Sequence, residues 1–181
     1  MRNPWWQFLL LRGSLQALPP SMSIAFGLWF ATLVLQIVIE IISPLPARFG
    51  YLDVLIKAVV EVVLTWSVLR MFRRGEVFAQ LWQASSLGNV VRLIAFSPLA
   101  WFLAKKSSLP PGEGMALAVA VLSIAFLPLL WMIPYYIRMW KQGLDTQSNG
   151  LASAIMLGMA LAAILFDWLF LTPDDPGMPF P

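Results

Sequence analysis

Apolar residues dominate five stretches of the chain, at 22–43, 51–72, 87–104, 115–138 and 150–171, each bounded by prolines, glycines or charged residues. Stretches of about 20 residues at about 1.5 Å per residue match a hydrocarbon core of about 30 Å, so the pattern predicts five membrane-crossing helices. The first begins after Pro19 and Pro20 and stops at Ser43-Pro44-Leu45-Pro46, where proline breaks the helical ladder and biases the residue before it away from helix. The third is the shortest of the five: Arg92 stands near its start and Pro98 interrupts it. A re-entrant segment there would leave four spans and carry the C-terminus to the other side. The expected fold is an all-α polytopic transmembrane bundle of about five spans with short interfacial helices. It divides into a cytoplasmic interfacial segment (1–21), the bundle (22–171) and a short polar tail (172–181).

Two stretches outside these spans read as surface elements. At the start, Asn3 can cap a short helix with Pro4 in its first turn, and Trp5, Trp6 and Phe8 suit the lipid headgroup region. Its apolar stretch is short and lacks a small-residue cleavage site before Pro19, so it is expected to be retained. Further on, Arg73 and Arg74 precede Phe78, Leu81 and Trp82, whose i, i+3, i+4 spacing predicts an aromatic helical face on the cytoplasmic surface. That face would rest on lipid or dock a partner.

Loop charge sets the orientation, because Lys and Arg resist translocation. Arg2, Arg12, Arg70, Arg73, Arg74, Arg138 and Lys141 fall on one side, seven in all, against Arg48, Lys105 and Lys106 on the other. The N-terminus is therefore expected in the cytoplasm and, with five spans, the tail carrying Asp174 and Asp175 on the opposite side.

Composition agrees with this reading and narrows the chemistry. Sixty per cent of the 181 residues are hydrophobic and 12% are charged, against about 45–50% and about 25% in soluble domains, and the mean hydropathy is +0.78. The chain has no histidine and no cysteine, which removes Ser-His-Asp and Cys-His catalysis, thiol redox chemistry and Cys- or His-ligated metals. The formal charge is +3, but the basic residues sit at the ends of apolar segments and form no patch for nucleic acid. No enzyme activity, cofactor or metal is expected.

Polar residues inside the spans carry what chemistry remains. Asp53, Lys57 and Glu61 recur at i, i+4, i+8 and share one helical face. Gln36 falls near the level of Lys57, Glu40 and Asp167 fall in the outer half of the bundle, and Glu61 lies near the midplane. Charges in a span cost about 2.5–3.5 kcal/mol each on insertion scales and turn towards a bundle interior. These six residues predict either a neutralised network that fixes helix packing, the favoured reading, or a proton or cation path through Glu61. Arg92 reads as a residue snorkelling to the cytoplasmic end, and Trp101, Trp140 and Trp168 as aromatic-belt residues. In the last span Gly150, Ala154, Gly158 and Ala162 recur every fourth residue and form a small-residue groove, expected first to seat a neighbouring helix of the same chain and alternatively another chain.

Five closely spaced spans, a cytoplasmic N-terminus and little extramembrane mass resemble the YIP family of five-span membrane proteins. The resemblance covers the arrangement of residues 20–171. Eukaryotic members carry an Asp-Leu-Tyr-Gly-Pro signature before the spans, whereas this chain reads Arg12-Gly13-Ser14-Leu15-Gln16-Ala17-Leu18-Pro19-Pro20, so no functional residue carries over. The expected function is a non-enzymatic accessory or assembly subunit of a bacterial inner membrane. It would bind a membrane-protein partner or a second copy through its helix faces, with the lipid bilayer around it. The alternative is a small ion- or proton-coupled transporter using the Asp53, Lys57 and Glu61 face.

Overall fold

Residues 3–42, 50–105 and 113–170 are described in a computed structural model, and every regular element among them is helical. A short helix α1 (Pro4–Leu9) precedes five long ones: α2 (Met22–Ile42), α3 (Gly50–Met71), α4 (Phe78–Lys105), α5 (Glu113–Gly143) and α6 (Asn149–Phe170). The tail 172–181, Arg2, Arg48 and Lys106 lie outside the described residues, as do the side chains of Glu40, Asp53, Lys105, Asp167 and Trp168. One helix among the described residues meets the length and composition of a membrane span, α2 over Met22–Ile39, with a mean hydropathy of 2.1 and 17% of that window buried. Helix α6 carries a shorter apolar stretch, Asn149–Ala162.

Helix α4 departs from the expected third span. It runs unbroken for 28 residues, about 42 Å, and includes residues 78–82, which were expected to belong to a separate surface element. It also passes through Pro98. Proline cannot donate to the carbonyl four residues back, and the Ser97 hydroxyl takes up that carbonyl instead, donating to Ile94 O at 2.8 Å.

The chain reverses tightly between α3 and α4. Arg73 adopts the left-handed region at φ 59°, Arg74 N donates to Leu69 O at 2.7 Å, and a 3-10 turn at Gly75–Val77 leads into α4. This geometry swings the first two turns of α4 inward. Leu81 is fully buried and Trp82 is 8% exposed, so the expected surface role of these two residues is corrected. Phe78 is half-buried and stacks on Trp82. Arg73 stays exposed, and Arg74 forms ion pairs with Glu76 at 3.1 Å and with Asp145 at 3.4 Å. The Arg74–Asp145 pair ties this reversal to the one between α5 and α6, where Asp145 has φ 53°.

The N-terminal segment is likewise more than an interfacial strip. Asn3 Oδ1 accepts from Trp5 N at 2.9 Å and Pro4 occupies the first turn of α1 as expected, but the chain then folds back on itself. Gly13 N donates to Gln7 O at 2.9 Å, an approach so close that a Cβ at Gly13 would stand 3.0 Å from Phe8 N. Phe8, Leu15 and Leu18 become buried among Leu81, Tyr135 and Met139, with Phe8 edge-on to the Tyr135 ring at 5.5 Å. Arg138 donates to Gly13 O at 2.6 Å, and Gln142 Oε1 accepts from Leu15 N. Gln80 and Gln83 of α4 donate to Leu18 O, Pro19 O and Ser21 O at 2.8–2.9 Å. The packed core therefore sits at the end of the bundle where the N-terminal segment and both helix reversals meet. Trp140, expected in an aromatic belt, belongs to it at 2% exposure.

Candidate functional site: a polar cavity between the helices

Adjoining that core, the five long helices border a partly open cavity of about 510 Å³. Its polar lining comes from side chains in helical register: Thr32 and Gln36 on α2, Lys57, Glu61 and Thr65 on α3, and Ser85, Asn89 and Arg92 on α4. Spacings of three and four residues put each set on one face of its helix. Tyr136 of α5 completes the polar wall, while Met132 and Met139 of α5 and Met156 and Met159 of α6 supply an apolar one.

Glu61, close to the midpoint of α3, is the centre of the hydrogen bonding. Its carboxylate accepts from Ser85 Oγ at 2.6 Å and from Asn89 Nδ2, which lies 3.2 Å from each carboxylate oxygen. Asn89 in turn accepts from the Tyr136 hydroxyl at 3.2 Å. The chain of donors runs from α5 through α4 to α3 and joins helices that otherwise touch around an open space. Next to it, Tyr135 donates to Ala84 O at 2.7 Å. Gly88 makes this approach possible, because a Cβ there would lie 2.8 Å from Tyr135 and 2.9 Å from the Tyr136 hydroxyl.

Of the six polar residues expected to work together, Gln36, Lys57 and Glu61 line this one cavity; the side chains of Glu40, Asp53 and Asp167 lie outside the described residues. Arg92 is corrected. Because α4 starts at Phe78, Arg92 stands near the middle of the helix instead of near its start, exposed and lining the cavity. Ser85, Asn89 and Tyr136 were not anticipated; the 85, 89, 92 spacing carries the signal and was hidden by starting the third span at residue 87.

The small-residue groove also turns out differently. Gly150, Ala154 and Gly158 are exposed, Ala162 is half-buried, and a Cβ on Gly158 would meet nothing within 4 Å. Helix α6 packs on the core through Ala152, Ile155, Met156 and Met159, another face, and nothing among the described residues closes on the groove at Gly158.

Chemically, the cavity can hold a polar or charged group in a largely apolar surrounding. Glu61 is the one carboxylate among its described lining residues, which is too few anionic oxygens for a dedicated divalent-cation cage. No family model, curated protein or solved structure matches the chain.

Proposed function

We propose that the chain is a non-enzymatic integral membrane protein of five spans, α2 to α6, YIP-like in arrangement, with its N-terminus on the cytoplasmic side of a bacterial inner membrane. Its interior cavity receives a small polar or charged ligand, as a carrier or receptor would. One observation carries this reading: the long helices expose apolar stripes while polar side chains gather around one cavity between them. Glu61 and Arg92 stand near the middles of their helices and line the cavity, while outward stripes such as Phe26, Phe30 and Val34 on α2 and Leu55, Val59 and Val63 on α3 are exposed. An exposed apolar surface of this extent fits lipid, and Glu61, half-buried and hydrogen-bonded to α4, fits the cost of charge in a span. The basic end holding Arg12, Arg70, Arg73, Arg74, Arg138 and Lys141 supports the cytoplasmic placement of the N-terminus.

The test is a melting-temperature panel of small anions, cations and neutral solutes on protein in lipid nanodiscs, repeated with Ala58→Phe, which fills the cavity from α3. A ligand that stabilises the wild type and not the variant supports the reading. A second reading, an accessory or assembly subunit binding a membrane protein or a second copy, is favoured by the open groove at Gly158. It takes precedence if purification in mild detergent yields a stoichiometric partner and the panel yields no ligand.

A further inference from the structure

Several hydrogen-bond donors at the cavity have no acceptor among the described residues. Arg92 contributes five N–H donors and no acceptor, and it makes no hydrogen bond or ion pair among the described residues. Trp29 and Trp82 also line the cavity, and their indole Nε1 groups are buried without an acceptor. The Glu61 carboxylate, which could have balanced them, is occupied by Ser85 and Asn89. Lys57 lines the same space. Arg92 is exposed at the cavity and open to a ligand, while the two indole donors are buried; unmet buried donors are costly and are relieved by an acceptor, most strongly by an anionic one.

The opposite wall is of another kind. Met132, Met139, Met156 and Met159 are unbranched and polarisable, so they mould to alkyl or aromatic groups of varied shape. The volume, about 510 Å³, falls within the range of about 300–1,000 Å³ typical of small-ligand sites. We infer that the cavity binds an amphipathic anion, its phosphate or carboxylate forked on Arg92 and its apolar body against the methionine wall. Guanidinium geometry favours such oxyanions because two parallel N–H groups match two oxygens. This inference rests on the proposed ligand-receiving cavity and adds the class of ligand.

Dodecyl phosphate, dodecylphosphocholine and inorganic phosphate are the probes. Their binding to full-length protein in phosphatidylcholine nanodiscs is measured by native mass spectrometry and by melting temperature. The wild type and the exposed-site control Arg12→Gln are expected to bind dodecyl phosphate at least tenfold more tightly than dodecylphosphocholine or inorganic phosphate. Arg92→Gln is expected to lose at least tenfold for dodecyl phosphate alone. Should that variant not fold, Arg92→Lys carries the test, since it keeps the charge but not the fork and is expected to lose affinity in part. Equal binding by the wild type and the Arg92 variant overturns the inference, and equal binding of inorganic phosphate overturns its amphipathic part. If dodecyl phosphate does not bind folded wild type while the solute panel finds a ligand lost in Ala58→Phe, the anion assignment fails and the cavity reading stands.

Discussion

Glu61 takes hydrogen bonds on both carboxylate oxygens, and that arrangement decides how an amide would behave in its place. Glu61→Gln keeps one acceptor but turns an NH2 group towards Asn89 Nδ2, and Asn89 cannot flip freely because its Oδ1 accepts from Tyr136. The variant is expected to lose about 1–3 kcal/mol, the cost of leaving buried polar groups unsatisfied. Thermal or denaturant unfolding in detergent checks this, and an unchanged midpoint would mean that the network holds no helices together. Two glycines make a second contrast at this scale. Gly88→Ala drives a Cβ to 2.8 Å from an aromatic ring and is expected to cost about 1–3 kcal/mol by overpacking. Gly158→Leu points into open space and is expected to stay within about 0.5 kcal/mol of wild type in detergent. The sequence alone suggested the opposite emphasis, because fourfold spacing of small residues shows that a groove exists but not which way the helix is turned.

Among the elements, the N-terminal segment makes the sharpest prediction. A segment lying on lipid would keep both Trp6 and Phe8 out of the protein core, whereas here Phe8 is 1% exposed within the core and Trp6 is 65% exposed. Phe8→Ala is expected to cost about 3–5 kcal/mol and Trp6→Ala at most about 0.5 kcal/mol, both read from melting temperature in detergent. Similar losses for the two would return the segment to the membrane surface. The reason this packing was not legible is local: α1 spans six residues, too few for a hydrophobic face to show in periodicity, and the fold-back depends on contacts with residues more than a hundred positions away. The long helices were easier. The ends of α2, α3 and α6 fall within one residue of the expected spans because prolines, glycines and charged residues stop the apolar runs there. Helix α4 was cut short because Gln83, Ser85 and Ser86 look like chain in water, and polar residues facing water and those facing the protein interior have the same sequence signature. The Glu61 and Lys57 pair was visible from its spacing on one helix; its partners on α4 and α5 required the tertiary arrangement.

Over the whole molecule, the described long helices expose apolar stripes while several polar side chains line the cavity between them. The basic groups gathered at the core end and the apolar outer stripes together predict a fixed orientation in a membrane. Reporters fused at the N-terminus and inserted after Asp145 are expected to report one compartment, and a reporter after Pro181 the other. Agreement of all three would remove one span from the proposed five. This arrangement can be read from two adjacent residues of α3, since the chain has no native cysteine to confuse a thiol assay. Ala58 lines the cavity, whereas Val59 is 45% exposed on the outer face. Single Ala58→Cys and Val59→Cys variants in native membranes, treated with a small charged methanethiosulfonate reagent that reacts in water, put polarity inside and outside in direct competition. Modification of Ala58→Cys with protection of Val59→Cys is the expected result; rapid modification of Val59→Cys with Ala58→Cys untouched would contradict a lipid-facing exterior around a polar cavity.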